Sequence, residues 1–181
     1  IRVSFIARVF LLLLLGNGAG LAIADDMLVL MHGTGRVERY NLETGAHVGT
    51  ALSGLPPGNA ILLDSEERLL ISTGNPGEMG TVLRFDPRGN GSVETLINVP
   101  DGYGGRLHRA TGMTWQDGDL LVASQNDGKV KRYSYPSGEW EEDVALASPG
   151  GMTQIAMHDG RLYLTDHTAQ AIRRSSEKLD G

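Results

Sequence analysis

The chain has no cysteine, and aromatic residues make up only 6% of its 181 positions. Without thiols there can be no disulfide scaffold, Cys-ligated zinc, iron–sulfur cluster or cysteine nucleophile. Basic residues are also in deficit, with 16 Lys and Arg against 22 Asp and Glu and a net charge of −6. Nucleic-acid binding depends on a basic field, so no nucleic-acid partner is expected. No stretch shows a sustained helical period, and no apolar run approaches the roughly 20 residues of a membrane span. Glycine, by contrast, is plentiful at 25 residues, a composition that suits many tight turns.

Residues 1–24 read as a secretory signal peptide. Arg2 and Arg8 form a basic start, residues 9–15 are apolar throughout, and Ala22-Ile23-Ala24 has the small-x-small pattern of a cleavage site. A retained anchor is the weaker reading, because residues 9–24 include Asn17 and three glycines. The glycines of residues 16–20 resemble a dinucleotide loop but follow no strand and open no helix. The mature domain is then residues 25–181, with 14 basic and 22 acidic residues and a net charge of −8. It is expected to be secreted or periplasmic.

Self-similarity dominates that domain. Apolar tetrads begin at Leu28, Leu69, Leu120 and Leu162, at intervals of 41, 51 and 42 residues. Each precedes a polar turn and a second strand-like run carrying Arg39, Arg84, Arg132 or Arg174. Asp117-Gly118 and Asp159-Gly160 are hairpin dipeptides, while Pro87 and Pro136 fall between runs where no ladder donor is needed. Short antiparallel strands, four to a repeat (A to D), make an all-β fold, a β-propeller. The first unit supplies strands B to D, the second and third are complete, and the fourth supplies A to C. That is about 3.5 four-stranded blades, and the surplus strands predict further blades beyond Gly181.

The strings at residues 36–50 and 111–133 resemble secreted NHL-type propellers, which grade into gluconolactonase (senescence-marker)-like and streptogramin-lyase-like ones. Arg84-Phe85-Asp86 matches the closing strand of the family unit, and Thr111-Gly112-Met113 its opening. The resemblance implies a six-bladed ring, of which this chain is a fragment. It also implies either a binding module or a metal-dependent lactonase, hydrolase or lyase. The lactonase-like members hold a divalent cation, Ca²⁺ or a similar hard ion, with oxygens that open the A strands. The corresponding positions are Asn59, Thr111 and Thr153, of which Asn59 is the one evident ligand.

In such a fold the B–C turns and D–A connections share the face around the central channel, the default ligand site. The least repeat-like connection, residues 101–109, carries Tyr103, Arg106, His108 and Arg109, side chains suited to an anionic or sugar-like group. Asn126 and the pair Asp166-His167 lie in B–C turns, and the pair would serve as an acid and base in a lyase. The four recurring arginines are read as interblade hydrogen-bonding residues, because catalysis does not recur once per repeat. The leading expectation is a ligand- or protein-binding module for a protein, small-molecule or carbohydrate partner. Catalysis is the alternative.

Overall fold

The computed structural model describes residues 9–12, 26–75, 79–86, 92–99, 105–144 and 151–175. Every regular element among them is a strand. The first sheet comprises β1 (Val9–Leu12), β2 (Asp26–Met31), β3 (Arg36–Asn41) and β4 (His47–Leu52). The second comprises β5 (Gly58–Leu63), β6 (Leu69–Thr73), β7 (Met79–Phe85) and β8 (Val93–Ile97). A two-residue strand, β9 (Leu107–His108), precedes the third sheet of β10 (Ala110–Gln116), β11 (Asp119–Ser124), β12 (Lys129–Tyr133) and β13 (Trp140–Val144). The fourth contains β14 (Met152–His158), β15 (Arg161–Asp166) and β16 (Ala171–Arg174). Each sheet is an antiparallel meander in chain order, the construction of a propeller blade.

Local chemistry sets the turns. Asp117-Gly118 and Asp159-Gly160 join A to B with positive φ at all four residues, as a type I′ hairpin requires. The C–D turns at residues 41–46 and 134–139 repeat one another. Asn41 N–H donates to Ala46 O (2.8 Å) as Ser134 N–H does to Glu139 O (2.9 Å).

Two details depart from the sequence expectation. The first sheet has four strands, because Val9–Leu12 pairs antiparallel with β2, Val9 opposite Met31. The apolar composition that suits a leader's centre also suits a blade's inner strand. Register is the second difference. Arg39, Arg84, Arg132 and Arg174 lie opposite Leu28, Leu70, Leu121 and Tyr163, so the last three tetrads are each offset by one residue. Strands buried on both faces carry no alternation to fix the register in sequence.

The blades stack through three apolar clusters. Leu28, Leu30 and Val37 meet Ile61, Ile71, Leu83 and Phe85 of the second blade. Leu70, Val82 and Ile97 meet Met113, Leu120, Val122 and Tyr133 of the third. Leu121, Val130 and Val144 meet Ile155, Leu162 and Leu164 of the fourth. Val37, Val82 and Val130 occupy one repeat position and are fully buried, each stabilising its junction by about 1.5–3 kcal/mol. The fourth blade's equivalent, Ile172, is 76% exposed, which marks its far face as an interblade surface with no described sheet against it.

The recurring arginines do not generally bridge blades. Arg39 pairs with Asp26 and Arg132 with Glu142 inside their own sheets. Among the described residues, Arg84 alone of the four crosses, reaching Pro136 O at 3.3 Å, while also pairing with Glu94 in its own blade.

Candidate functional site

The B–C turns place one residue of each blade immediately after its B strand. These residues are His32, Gly74, Gln125 and His167. His32 Nδ1 lies 2.8 Å from Gly58 O, and His167 Nδ1 lies 2.7 Å from Gly151 O. A carbonyl only accepts, so Nδ1 carries the proton in both rings and a neutral ring presents Nε2 as an acceptor. Both histidines are exposed.

The connection into the third blade is a docked segment. β9 pairs with β7 through Met79–His108 and Gly80–Leu107. Its other side is tied to the B–C turn at residues 125–128. His108 N–H donates to Ser124 Oγ (2.8 Å), Asn126 N–H to His108 O (3.0 Å) and Gln125 N–H to Arg109 O (3.1 Å). Leu107 is buried beneath, and Arg106 Nε contacts Met79 Sδ. Arg109 has a φ of 62°. Its backbone passes over Gly74, where a Cβ would come within 3.2 Å of Arg109 Cα. Gly74 thus has a steric reason to lack a side chain. The structure brings Arg106, His108, Arg109 and Asn126 together here, while Tyr103 lies outside the described residues.

The A strands of blades two to four each open on a bulge, at Asn59, Thr111-Gly112 and Thr153. Asn59 Nδ2 donates to Gly74 O and to Ala110 O of the next blade, both at 2.8 Å. Thr111 Oγ1 makes the equivalent link to Met152 O at 3.3 Å, and Thr111 O accepts from Ser72 Oγ at 2.5 Å. Thr153 Oγ1 is 2.8 Å from Thr165 Oγ1. These groups stitch strands and blades. They do not fit a divalent cation: one amide and two engaged hydroxyls supply no charge. No group of three His, Asp or Glu side chains gathers among the described residues.

Asp166 and His167 do not act as a pair. Asp166 is 4% exposed, and its Oδ1 accepts from Thr168 N–H (3.1 Å) and Ala169 N–H (2.9 Å). Its Oδ2 accepts from Arg173 Nε at 3.0 Å. The carboxylate caps its own turn, and the imidazole faces Gly151.

Sequence reasoning missed a polar cluster on the opposite rim, where A–B hairpins and C–D turns meet. Asp64 accepts from Glu66 N–H (2.9 Å), Arg68 N–H (2.8 Å), Arg68 Nε (2.6 Å) and the Tyr135 hydroxyl. Arg68 Nη2 donates to Tyr135 Oη at 3.0 Å, and Trp115 Nε1 donates to Leu63 O at 2.9 Å. The Arg68 and Arg84 guanidinium carbons lie 5.8 and 5.7 Å from the Tyr135 ring centroid. Burial pushes the Asp64 carboxyl up, but the bonds from Tyr135, Arg68 and the main chain outweigh it and hold it below the usual aspartate range. The five-residue spacer at 64–68 in place of an Asp-Gly hairpin was the available signal.

No protein-family model matches the chain, and no curated protein does. Solved structures do. A catalytically inactive histidine-to-alanine variant of virginiamycin B lyase from Staphylococcus aureus, solved with quinupristin, matches with a TM-score of 0.58 and 20% identity. The match covers 85% of this chain and 50% of that one. A nidogen/laminin complex matches with a TM-score of 0.68 and 12% identity, over 87% of this chain and 59% of that one. A structural-genomics target assigned as a gluconolactonase gives 0.58 and 19%, over 78% and 53%. At these identities the likeness shows the fold alone, which is a partial β-propeller. The chain spans between 50% and 59% of the length of these three structures.

Proposed function

We propose that this chain is an exported propeller repeat protein that binds a ligand or protein through its channel face. The observation that carries the reading is the docked connection at residues 105–109. It presents Arg106 and His108 beside Asn126 on a rigid support. Rigid presentation lowers the ordering cost of binding. The neighbours' printed partners, laminin and quinupristin, support both a protein and a small ligand as the partner class. Ligand-observed NMR with a panel of sugars, sugar acids, amino acids and peptides tests this. A hit should weaken about tenfold, near 1.4 kcal/mol, in R106A/H108A without a change of fold. Binding that survives the double variant would refute the site. For export, the mature protein recovered from the periplasm or medium should begin at Asp25, having lost β1 and kept β2–β4 as its first blade, and an intact N-terminus would overturn that part.

Catalysis on the same face is the second reading, favoured by the exposed, Nδ1-anchored rings of His32 and His167. A neutral Nε2 can accept a proton from a substrate, as a lyase or hydrolase needs. The inactivating histidine replacement in virginiamycin B lyase supports looking there. Loss of a measured lactonase or lyase turnover in H32A or H167A would favour catalysis, and turnover unchanged in both would count against it.

A further inference from the structure

We propose that the open face of the fourth sheet docks on the first sheet of a second copy of this chain, so that two chains close one ring. The proposal is independent of the ligand reading above.

The three described junctions share one pattern. The trailing face of one sheet carries Val37, Val82 or Val130. The leading face of the next sheet meets it with Leu69 and Phe85, Leu120 and Tyr133, or Leu162. All of these side chains are buried. Cross-strand pairing fixes the equivalents at the two ends of the series. Met27 stands opposite Tyr40 as Leu69 does opposite Phe85 and Leu120 opposite Tyr133. Ile172 stands opposite Thr165 as Val82 does opposite Ser72.

At those ends the pattern is incomplete. The fourth sheet has the trailing residue without a cover, Ile172 being 76% exposed, with Tyr163 and Thr165 half-buried on the same face. The first sheet has the leading residues, and Met27, Met31 and Tyr40 are half-buried around a buried Val29. One end therefore offers what the other lacks, and an apolar face of this kind is stabilised by being covered. None of these residues lies within 1–24, so removal of the leader keeps both faces.

Charge agrees with this pairing. Arg84 crosses its junction to Tyr135 Oη (3.5 Å) and Pro136 O (3.3 Å), in the C–D turn of the next sheet. The repeated turn hydrogen bonds put Glu43 at the position of Pro136. Arg174 holds the position of Arg84. Unlike Arg39, Arg84 and Arg132, it has no ion-pair partner among the described residues. Arg174 and Glu43 are both exposed. A second copy sets them against each other, and a two-fold axis makes the contact twice. The chain spans 50% to 59% of the solved propellers it matches, so a second copy supplies about the rest of a ring.

Light scattering of the full chain during gel filtration tests this, with two copies per particle expected at micromolar concentration. I172D should weaken association about thirtyfold while the far-ultraviolet circular dichroism stays native, because this side chain is exposed in the single chain. R174E and E43R should each weaken it about tenfold, and the double variant R174E/E43R should restore the native dimer. A monomer would overturn the proposal and leave the two faces to sheets of another origin. So would an open series of larger oligomers, a dimer indifferent to I172D, or a double variant no tighter than the single ones.

Discussion

At the rim where A–B hairpins meet C–D turns, Asp64, Arg68 and Tyr135 bond one another across the second and third blades, and Arg84 reaches Tyr135 Oη and Pro136 O. At the channel end of the same junction, Asn59 Nδ2 donates to two main-chain carbonyls, while Gln125 Oε1 has no hydrogen-bond partner among the described residues. Both ends are covered by the same two blades and packed over the same apolar cluster. Both ends tie the blades together, and they differ in satisfaction: the rim groups pair with one another, while the channel end keeps one buried amide oxygen unpaired among the described residues.

Removal of Asp64 should show the contrast most strongly. Its side chain is 1% exposed and that of Arg68 19%, so D64A leaves a largely buried guanidinium with only the exposed Glu66 as its carboxylate and the half-buried Tyr135 hydroxyl without its acceptor. A loss of about 3 kcal/mol in urea unfolding is expected. The carboxyl is held below its unfolded value, so its contribution is full above the unfolded pKa of about 3.9 and is lost as pH falls through the folded value. The stability gap between the native chain and D64N should stay constant from neutrality down to about pH 4 and close below it. A gap that widened on acidification would contradict the network.

Asn59 comes next, because N59A strands the carbonyls of Gly74 and Ala110 at once, for about 2 kcal/mol. Y135F should cost about 1 kcal/mol, since the ring keeps its packing on Trp115 at 5.0 Å while the hydroxyl bonds are lost. Thermal or urea midpoints of the two variants decide the order. If Y135F proved costlier than N59A, the rim and not the bulge would be the main interblade tie.

Much of this was legible in the sequence, for identifiable reasons. The repeat of an apolar run, a polar turn and an arginine-bearing strand gave the blades. Asp117-Gly118 and Asp159-Gly160 gave two hairpins, and the resemblance to propeller repeats placed Asn59, Thr111 and Thr153 at strand openings. The register was not legible, because Leu69-Leu70-Ile71 and Leu120-Leu121-Val122 are buried on both faces and read alike when slipped by one. Nor were the partners of Arg39, Arg132 and Asp166, since whether a charge pairs within its sheet depends on that register. β9 was hidden by its length: two residues have no period, and their pairing comes from Ser124 and Met79, distant in sequence. Gln125 became visible only once the repeat was aligned by pairing, which put it level with His32 and His167.

The smallest expected effect discriminates best between support and site. His108 is held by its main chain, through Ser124 Oγ and the Asn126 N–H, and its imidazole makes no hydrogen bond to the described residues. H108A should therefore change stability by no more than about 0.5 kcal/mol. S124A removes the hydroxyl anchor and leaves a main-chain N–H of a half-buried strand unmatched, for about 1 kcal/mol. Hydrogen exchange at residues 106–109 should accelerate in S124A and stay native in H108A, because opening of that segment depends on the anchor and not on the ring. The channel end would then consist of a ring on a support that does not need it. Equal exchange in both variants would make His108 part of the scaffold and erase the contrast with the rim.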